Sequence, residues 1–210
     1  MPNVPKPLVP VAGKPFLYWL LQNLERQRIE RVVLATGYLA HAIRDTLGQR
    51  FGTITLAYSE EITPLGTGGA LRKALASIDS PHAFVLNGDT YADVDLAAMY
   101  AAHLAAGARI TVATVQVPDA SRYGTVHVSE NRIREFLAAG RDGAGTINAG
   151  VYVLDASLLK GEFPEQFSFE RDVLQAKLAE LEPLAFAAGS RFIDIGTPTD
   201  YARAQAFFAA

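Results

Sequence analysis

The chain has 210 residues, half of them hydrophobic, 20% charged and 10% aromatic, a composition suited to one large globular unit and far from that of a disordered chain. Nineteen lysines and arginines stand against 22 acidic residues, a formal net charge of −3, which argues against a dedicated nucleic-acid binder. Cysteine is absent, excluding disulfides and thiolate metal sites; with no apolar run near the ~18 residues of a membrane span and no signal-peptide core at the start, a cytoplasmic protein is expected.

Taken in chain order, Pro5-Lys6-Pro7-Leu8 and the run from Pro10 to Pro15 read as stiff extended chain ahead of a helix over 16–27. The apolar runs 31–36 and 82–87 predict strands buried on both faces, with a third strand over 53–58 and helices over 39–47 and 69–77 between them. A helix over 96–106 precedes a strand over 109–117. Short strands at 124–128 and 132–136 follow, joined by a tight turn at Glu130-Asn131. Further strands are expected at 147–154 and 191–195, helices at 169–182 and 199–208, and a flexible stretch at 140–145. Strands alternating with helices of this length predict an α/β, Rossmann-like, doubly wound domain spanning 1–210. Its sheet is expected to be mixed but mostly parallel, with a small antiparallel excursion in the second half.

In such sheets ligands bind beyond the carboxyl ends of the strands. Asn87-Gly88-Asp89 places a carboxylate at one strand tip, and Asp194-Ile195-Gly196-Thr197-Pro198 places another. Two such acids meeting at one cleft would offer hard oxygen ligands for Mg²⁺; taken separately, Asp89 is a turn residue and Asp194 a helix cap. Leu65-Gly66-Thr67-Gly68-Gly69-Ala70 opens a helix, where glycines let a base or ribose come close; a plain loop-to-helix turn reads equally well. It lacks the Gly-Lys-Ser/Thr of a Walker loop, and Leu71 stands where a dinucleotide fingerprint has its third glycine, which disfavours a dinucleotide-dependent oxidoreductase. Lys6, held between two prolines, is either a fixed cation aimed at phosphate or part of a solvated arm. His41, His82, His103 and His127 are scattered and read as surface or packing residues.

In order along the chain, Pro5-Lys6-Pro7-Leu8-Val9-Pro10-Val11-Ala12-Gly13-Lys14-Pro15, Leu65 to Ala70, Asn87-Gly88-Asp89, Ile147-Asn148-Ala149-Gly150-Val151-Tyr152 and Phe192 to Pro198 with Asp200-Tyr201 resemble the sugar-phosphate nucleotidyltransferase family. Phe167-Ser168-Phe169-Glu170-Arg171-Asp172 and the short C-terminus look closest to its D-glycero-D-manno-heptose 1-phosphate guanylyltransferase branch. The resemblance implies that Lys6 contacts phosphates, that Gly66, Thr67, Gly68 and Gly69 line base and ribose, and that Tyr123, Gly124 and Asn148 lie against the sugar. Asp89 and Asp194 would hold Mg²⁺. The substrates would be a nucleoside triphosphate, GTP favoured, and a sugar 1-phosphate of heptose or mannose type.

Two departures from the family pattern stand out. The family's chains begin with a buried central strand and a Gly-Gly-x-Gly-Thr-Arg-Leu loop that cradles the triphosphate, whereas Met1 stands five residues before Lys6. An N-terminally truncated form is therefore expected, with exposed or rearranged edges in the remaining sheet. After Phe136 the family commonly carries a Glu-Lys pair, where this chain has Leu137-Ala138-Ala139-Gly140-Arg141, with Arg141 a substitute cation. Both departures favour an alternative: a non-catalytic sugar-nucleotide-binding or regulatory subunit on the same fold, with oligomers possible.

Overall fold

The computed structural model describes residues 4–140 and 142–209. After a 3-10 turn at Lys6–Leu8, β1 (Pro10–Val11) and β2 (Lys14–Pro15) form a two-residue hairpin that feeds helix α1 (Phe16–Arg26). Phe16, Leu17, Leu20, Leu21 and Leu24 recur at helical spacing and give α1 one buried stripe. Next come β3 (Arg31–Thr36), α2 (Ala40–Leu47), β4 (Arg50–Phe51) and β5 (Ile54–Glu60); β3 and β5 pair in parallel and β4 runs antiparallel to β5. Helix α3 (Gly66–Leu75) leads to β6 (His82–Leu86), β7 (Thr90–Ala92) and α4 (Leu96–Ala105), where the Asp95 carboxylate accepts from the Ala98 N–H as an N-cap. The second half supplies β8 (Ile110–Val117), β9 (Thr125–Ser129), β10 (Arg132–Leu137) and β11 (Gly145–Asp155). A π-helical segment, Phe169–Gln175, then precedes α5 (Leu178–Leu181), β12 (Leu184–Ala187), β13 (Phe192–Asp194) and α6 (Pro198–Ala209).

The largest sheet has the order β6-β11-β8-β12-β10-β9, and within it only β8 and β12 are parallel among the described residues. The α/β class holds, but the expected mostly parallel, doubly wound sheet is corrected: among the described residues parallel pairing is confined to β3–β5 and β8–β12. A continuous apolar run reports burial of both faces and says nothing of strand direction. The residues of β11 show this, since Ile147, Ala149, Val151 and Val153 enter one hydrophobic cluster while Tyr152 and Leu154 enter the other. The two cores thus lie on the two faces of one sheet.

Other local readings are refined. Glu130 and Asn131 both have positive φ, 53° and 57°, the conformation of a type I′ turn between β9 and β10. Strand β12 carries no alternating pattern and lies where no strand is expected from the sequence. The helix expected at 169–182 divides into the π-helical segment and α5. The runs 31–36 and 82–87 are strands, but every residue of β6 is half-buried, and in β3 only Thr36 is fully buried. The reason is topological: among the described residues β3 pairs only with β5, and β6 only with β11, so each has one edge without a strand partner there.

The two ends of the described chain meet. Tyr201 Oη and Gln205 Nε2 donate to the Pro10 carbonyl at 2.6 and 3.0 Å, and the Ala12 N–H donates to Gln205 Oε1 at 2.9 Å. Phe208 stacks on Trp19 with ring centroids 4.9 Å apart, and Phe207 packs edge-on to Tyr91, so this pair serves core packing.

Candidate active site

Backbone pairing brings together the segments bearing the two predicted acids, and the proline-flanked lysine reaches one of them. Asp89 follows β6 by three residues and leads into β7, which pairs antiparallel with β13 so that Asp194 lies opposite Thr90. The Ile195 N–H donates to the Asp89 carbonyl at 3.1 Å, tying the two acid-bearing segments together. Lys6 Nζ sits 3.4 Å from Asp89 Oδ2, a contact that spans 83 positions of sequence. Lys6 is 58% exposed and Asp89 35%, so the pair is open to a charged ligand. A pair this exposed contributes little to stability, about 0–1 kcal/mol.

Asp194 is less exposed, at 20%. Its Oδ1 accepts from the Gly196 N–H at 2.6 Å and lies 3.7 Å from the Arg122 guanidinium. It therefore braces its own turn and is not the cap of α6. Thr197 takes that role, its hydroxyl accepting from the Asp200 N–H at 3.2 Å. Arg122 also pairs with Asp200, a carboxylate only 2% exposed that is further held by the Thr197 hydroxyl and by Arg203. The Arg122–Asp200 cluster was not legible in the sequence. A single arginine before Tyr123-Gly124 and an acid in a first helical turn give no pattern until the fold brings them together.

Of the predicted sugar-facing residues, Tyr123 is half-buried with its ring edge-on to Phe192, beneath the Arg122 guanidinium. Burial, and then the neighbouring Asp194 charge, hold its phenol above the ordinary value. A side chain at Gly124 would meet the Leu137 carbonyl at 3.0 Å. Asn148 lies at a register shift of β11, where its amide donates to Tyr152 Oη at 2.8 Å and accepts from the Gly150 N–H at 3.0 Å. Gly150, at φ 70°, carries its carbonyl onto the Asn87 N–H, which connects Asn148 to the tip bearing Asp89. Arg141 lies outside the described residues.

The glycine-rich turn has a packing partner in the protein itself. A Cβ on Gly66 would come within 2.5 Å of the Phe167 carbonyl, and one on Gly68 within 2.3 Å of the Phe167 ring. The Gly68 N–H donates to the Phe167 carbonyl, and Thr67 Oγ1 links to Glu170 and to the Phe169 N–H. Close approach, the property glycine was expected to supply here, is used by the segment 165–169 against Gly66, Gly68 and Gly69.

Two hard carboxylates at adjoining strand ends match the one or two that Mg²⁺ typically takes from protein, leaving the remaining positions to water and phosphate oxygens. Among the described residues no group of three or more acidic or histidine side chains is placed to hold a metal on its own. The donor set therefore fits a metal shared with a polyphosphate. None of the four histidines falls in this cluster: His103 is buried against Thr111, His82 contacts Tyr100, and His41 and His127 are exposed.

The chain resembles several characterised proteins. It is 38% identical to a D-glycero-alpha-D-manno-heptose 1-phosphate guanylyltransferase of Aneurinibacillus thermoaerophilus, over 97% of this chain and 89% of the relative. It is 37% identical to the protein of the same name from Campylobacter jejuni, over 95% and 88%. The crystal structure of HddC from Yersinia pseudotuberculosis complexed with GMP-PN superposes with a TM-score of 0.88 at 34% identity, over 98% of this chain and 90% of that one. The profile of one family, nucleotidyl transferase, matches residues 2–210. With a match over nearly the whole chain and relatives this similar, the chain belongs to the nucleotidyl transferase family.

Proposed function

We propose that the chain transfers a nucleoside monophosphate, from GTP in preference to other triphosphates, to the 1-phosphate of a heptose- or mannose-type sugar, with release of pyrophosphate. The observation that carries this reading is the contact of Lys6 with Asp89, whose segment is paired through its backbone with the segment bearing Asp194. The guanine and heptose preferences rest on similarity to the two heptose 1-phosphate guanylyltransferases and to HddC with GMP-PN.

In this reading a sugar-phosphate oxygen attacks the α-phosphorus in line with the bond to the departing pyrophosphate. One P–O bond forms as another breaks. The attacking phosphate is already ionised near neutral pH, so no side chain need act as general base. What the protein supplies is alignment and charge compensation for two polyanions. Lys6 places a cation beside the phosphates. Asp89 and Asp194 would hold Mg²⁺, which when bound offsets the charge that develops on the leaving group. Gly66, Thr67, Gly68 and Gly69 would border base and ribose, and Tyr123, Gly124 and Asn148 the sugar.

Asp89→Asn keeps the shape of the tip but weakens metal and lysine contacts, so pyrophosphate release in Mg²⁺, GTP and heptose 1-phosphate should fall about 100-fold or more with little change in thermal stability. An unchanged rate would remove Asp89 from the mechanism. A second reading, a non-catalytic sugar-nucleotide-binding subunit, is favoured by the stretch after Phe136, which lacks an acid–lysine pair. It predicts saturable nucleotide binding with no pyrophosphate released from any triphosphate.

A further inference from the structure

One carboxylate among the described residues is buried: Asp200, in the first turn of α6, at 2% exposure. A charge taken out of water needs a counter-ion and hydrogen bonds, and Asp200 has both. Arg122 Nη1 contacts its Oδ2, the Thr197 hydroxyl donates to the same oxygen, and Arg203 Nη1 lies 3.5 Å from Oδ1. Arg203 is 67% exposed and its contact is long, so Arg122 is the principal counter-ion. The other amino group of that guanidinium, Nη2, faces Asp194 Oδ1 at 3.7 Å, beyond hydrogen-bond range. One arginine thus stands between two acids and is bonded to only one of them.

That asymmetry decides what Asp194 can offer a cation. Its Oδ1 accepts from the Gly196 N–H, while its Oδ2 has no hydrogen bond among the described residues. A carboxylate closed into a two-pronged pair with a guanidinium would have neither oxygen free for a hard divalent ion. Arg122 is within reach of such a pair. It is 41% exposed, lies over the Tyr123 ring and sits in a turn where the Tyr123 N–H donates to the Ala120 carbonyl at 2.9 Å. Its bond to Asp200 is what holds it back.

We propose that Asp200 is a positioning residue that detains Arg122 and so keeps Asp194 open to a divalent cation. The inference rests on the reading of Asp194 as a metal ligand. Loss of Asp200 alone frees Arg122 to close on Asp194. Loss of both partners leaves Asp194 with its Gly196 bond and its open oxygen. Removing Asp200 therefore harms the site only while Arg122 is there to move.

The test titrates GTP by calorimetry without any sugar phosphate, once in EDTA and once in excess Mg²⁺, and takes the ratio of the two affinities. Four proteins are compared: the wild type, Asp194→Asn, Asp200→Asn, and Asp200→Asn combined with Arg122→Met, each checked by thermal melting. Asp200→Asn keeps the side-chain volume and the backbone N–H that the Thr197 hydroxyl caps. Asp200→Ser, a smaller neutral residue, carries the same expectation and serves where the amide does not fold. Mg²⁺ should tighten GTP binding in the wild type, and Asp194→Asn should remove most of that gain. Asp200→Asn should cut the gain about tenfold or more, and adding Arg122→Met should restore it to within about threefold of the wild type. A pair that serves stability alone would shift binding equally with and without Mg²⁺, and an unchanged ratio in Asp200→Asn overturns the proposal. A double variant no better than Asp200→Asn overturns it as well. A gain that is absent from the wild type, or that survives Asp194→Asn, removes Asp194 from metal binding and takes the proposal with it, so the two failures are told apart.

Discussion

His103 shows how one side chain can carry a pH signature without taking part in chemistry. It is 1% exposed, its Nδ1 is 2.8 Å from the Thr111 hydroxyl, and its Nε2 has no partner among the described residues. Burial, and then the nearby His82, lower its pKa from the usual 6.5. The unfolded chain thus binds a proton that the folded one resists. Stability tied to His103 is complete above pH 6.5 and is lost as the pH falls from there toward the depressed folded value. Asp155, held below its ordinary pKa by Ser157, acts in the opposite sense to a destabilising acid, and its contribution disappears only near pH 4 and below. Melting curves between pH 7 and 5 should therefore show Tm dropping for the wild type and a flatter profile for His103→Gln. A wild-type slope retained in that variant would assign the effect elsewhere.

At the scale of elements, the glycine-rich start of α3 sets two magnitudes against each other. Alanine in place of a helical glycine gains about 1 kcal/mol of helix propensity. At Gly68 the added methyl would stand 2.3 Å from the Phe167 ring, itself 2% exposed and stacked on Phe163, and overpacking of this kind costs about 1–3 kcal/mol. Crowding wins, so Gly68→Ala should lower Tm, whereas an increase would show that Phe167 yields freely. The same elements show what was legible in advance. The turn at Glu130-Asn131 and the amphipathic face of α1 were readable because local chemistry dictates them. Strand direction was not, since an apolar run such as 147–154 looks the same whether its neighbours run with it or against it. β12 was hidden because Leu184-Ala185-Phe186-Ala187 is too short to show a period, and it becomes a strand only beside β8.

Over the whole molecule, the residues singled out in the sequence are brought together in two respects: Lys6 contacts Asp89, and the segments bearing Asp89 and Asp194 are paired. The part that escaped is relational. Arg122 reaches both Asp194 and Asp200, and nothing in the separate local sequences couples them. The edges of β3 and β6 that lack a strand partner among the described residues belong to this scale as well, because half-burial of otherwise apolar strands is a property of the sheet and not of the strands.

The docking of α6 against Pro10, Ala12 and Trp19 has a consequence for how the protein can be taken apart. The helix works as a buckle: it begins four positions after Asp194, carries the carboxylate that anchors Arg122, and fastens segments nearly two hundred positions apart. Opening it alone leaves the large sheet's ladders intact while unfastening the hairpin that follows Lys6. A protease nick just ahead of Pro198 should accordingly spare most of the far-ultraviolet circular dichroism yet abolish retention on immobilised GTP, and a nicked protein still retained there would show the buckle to be ornamental.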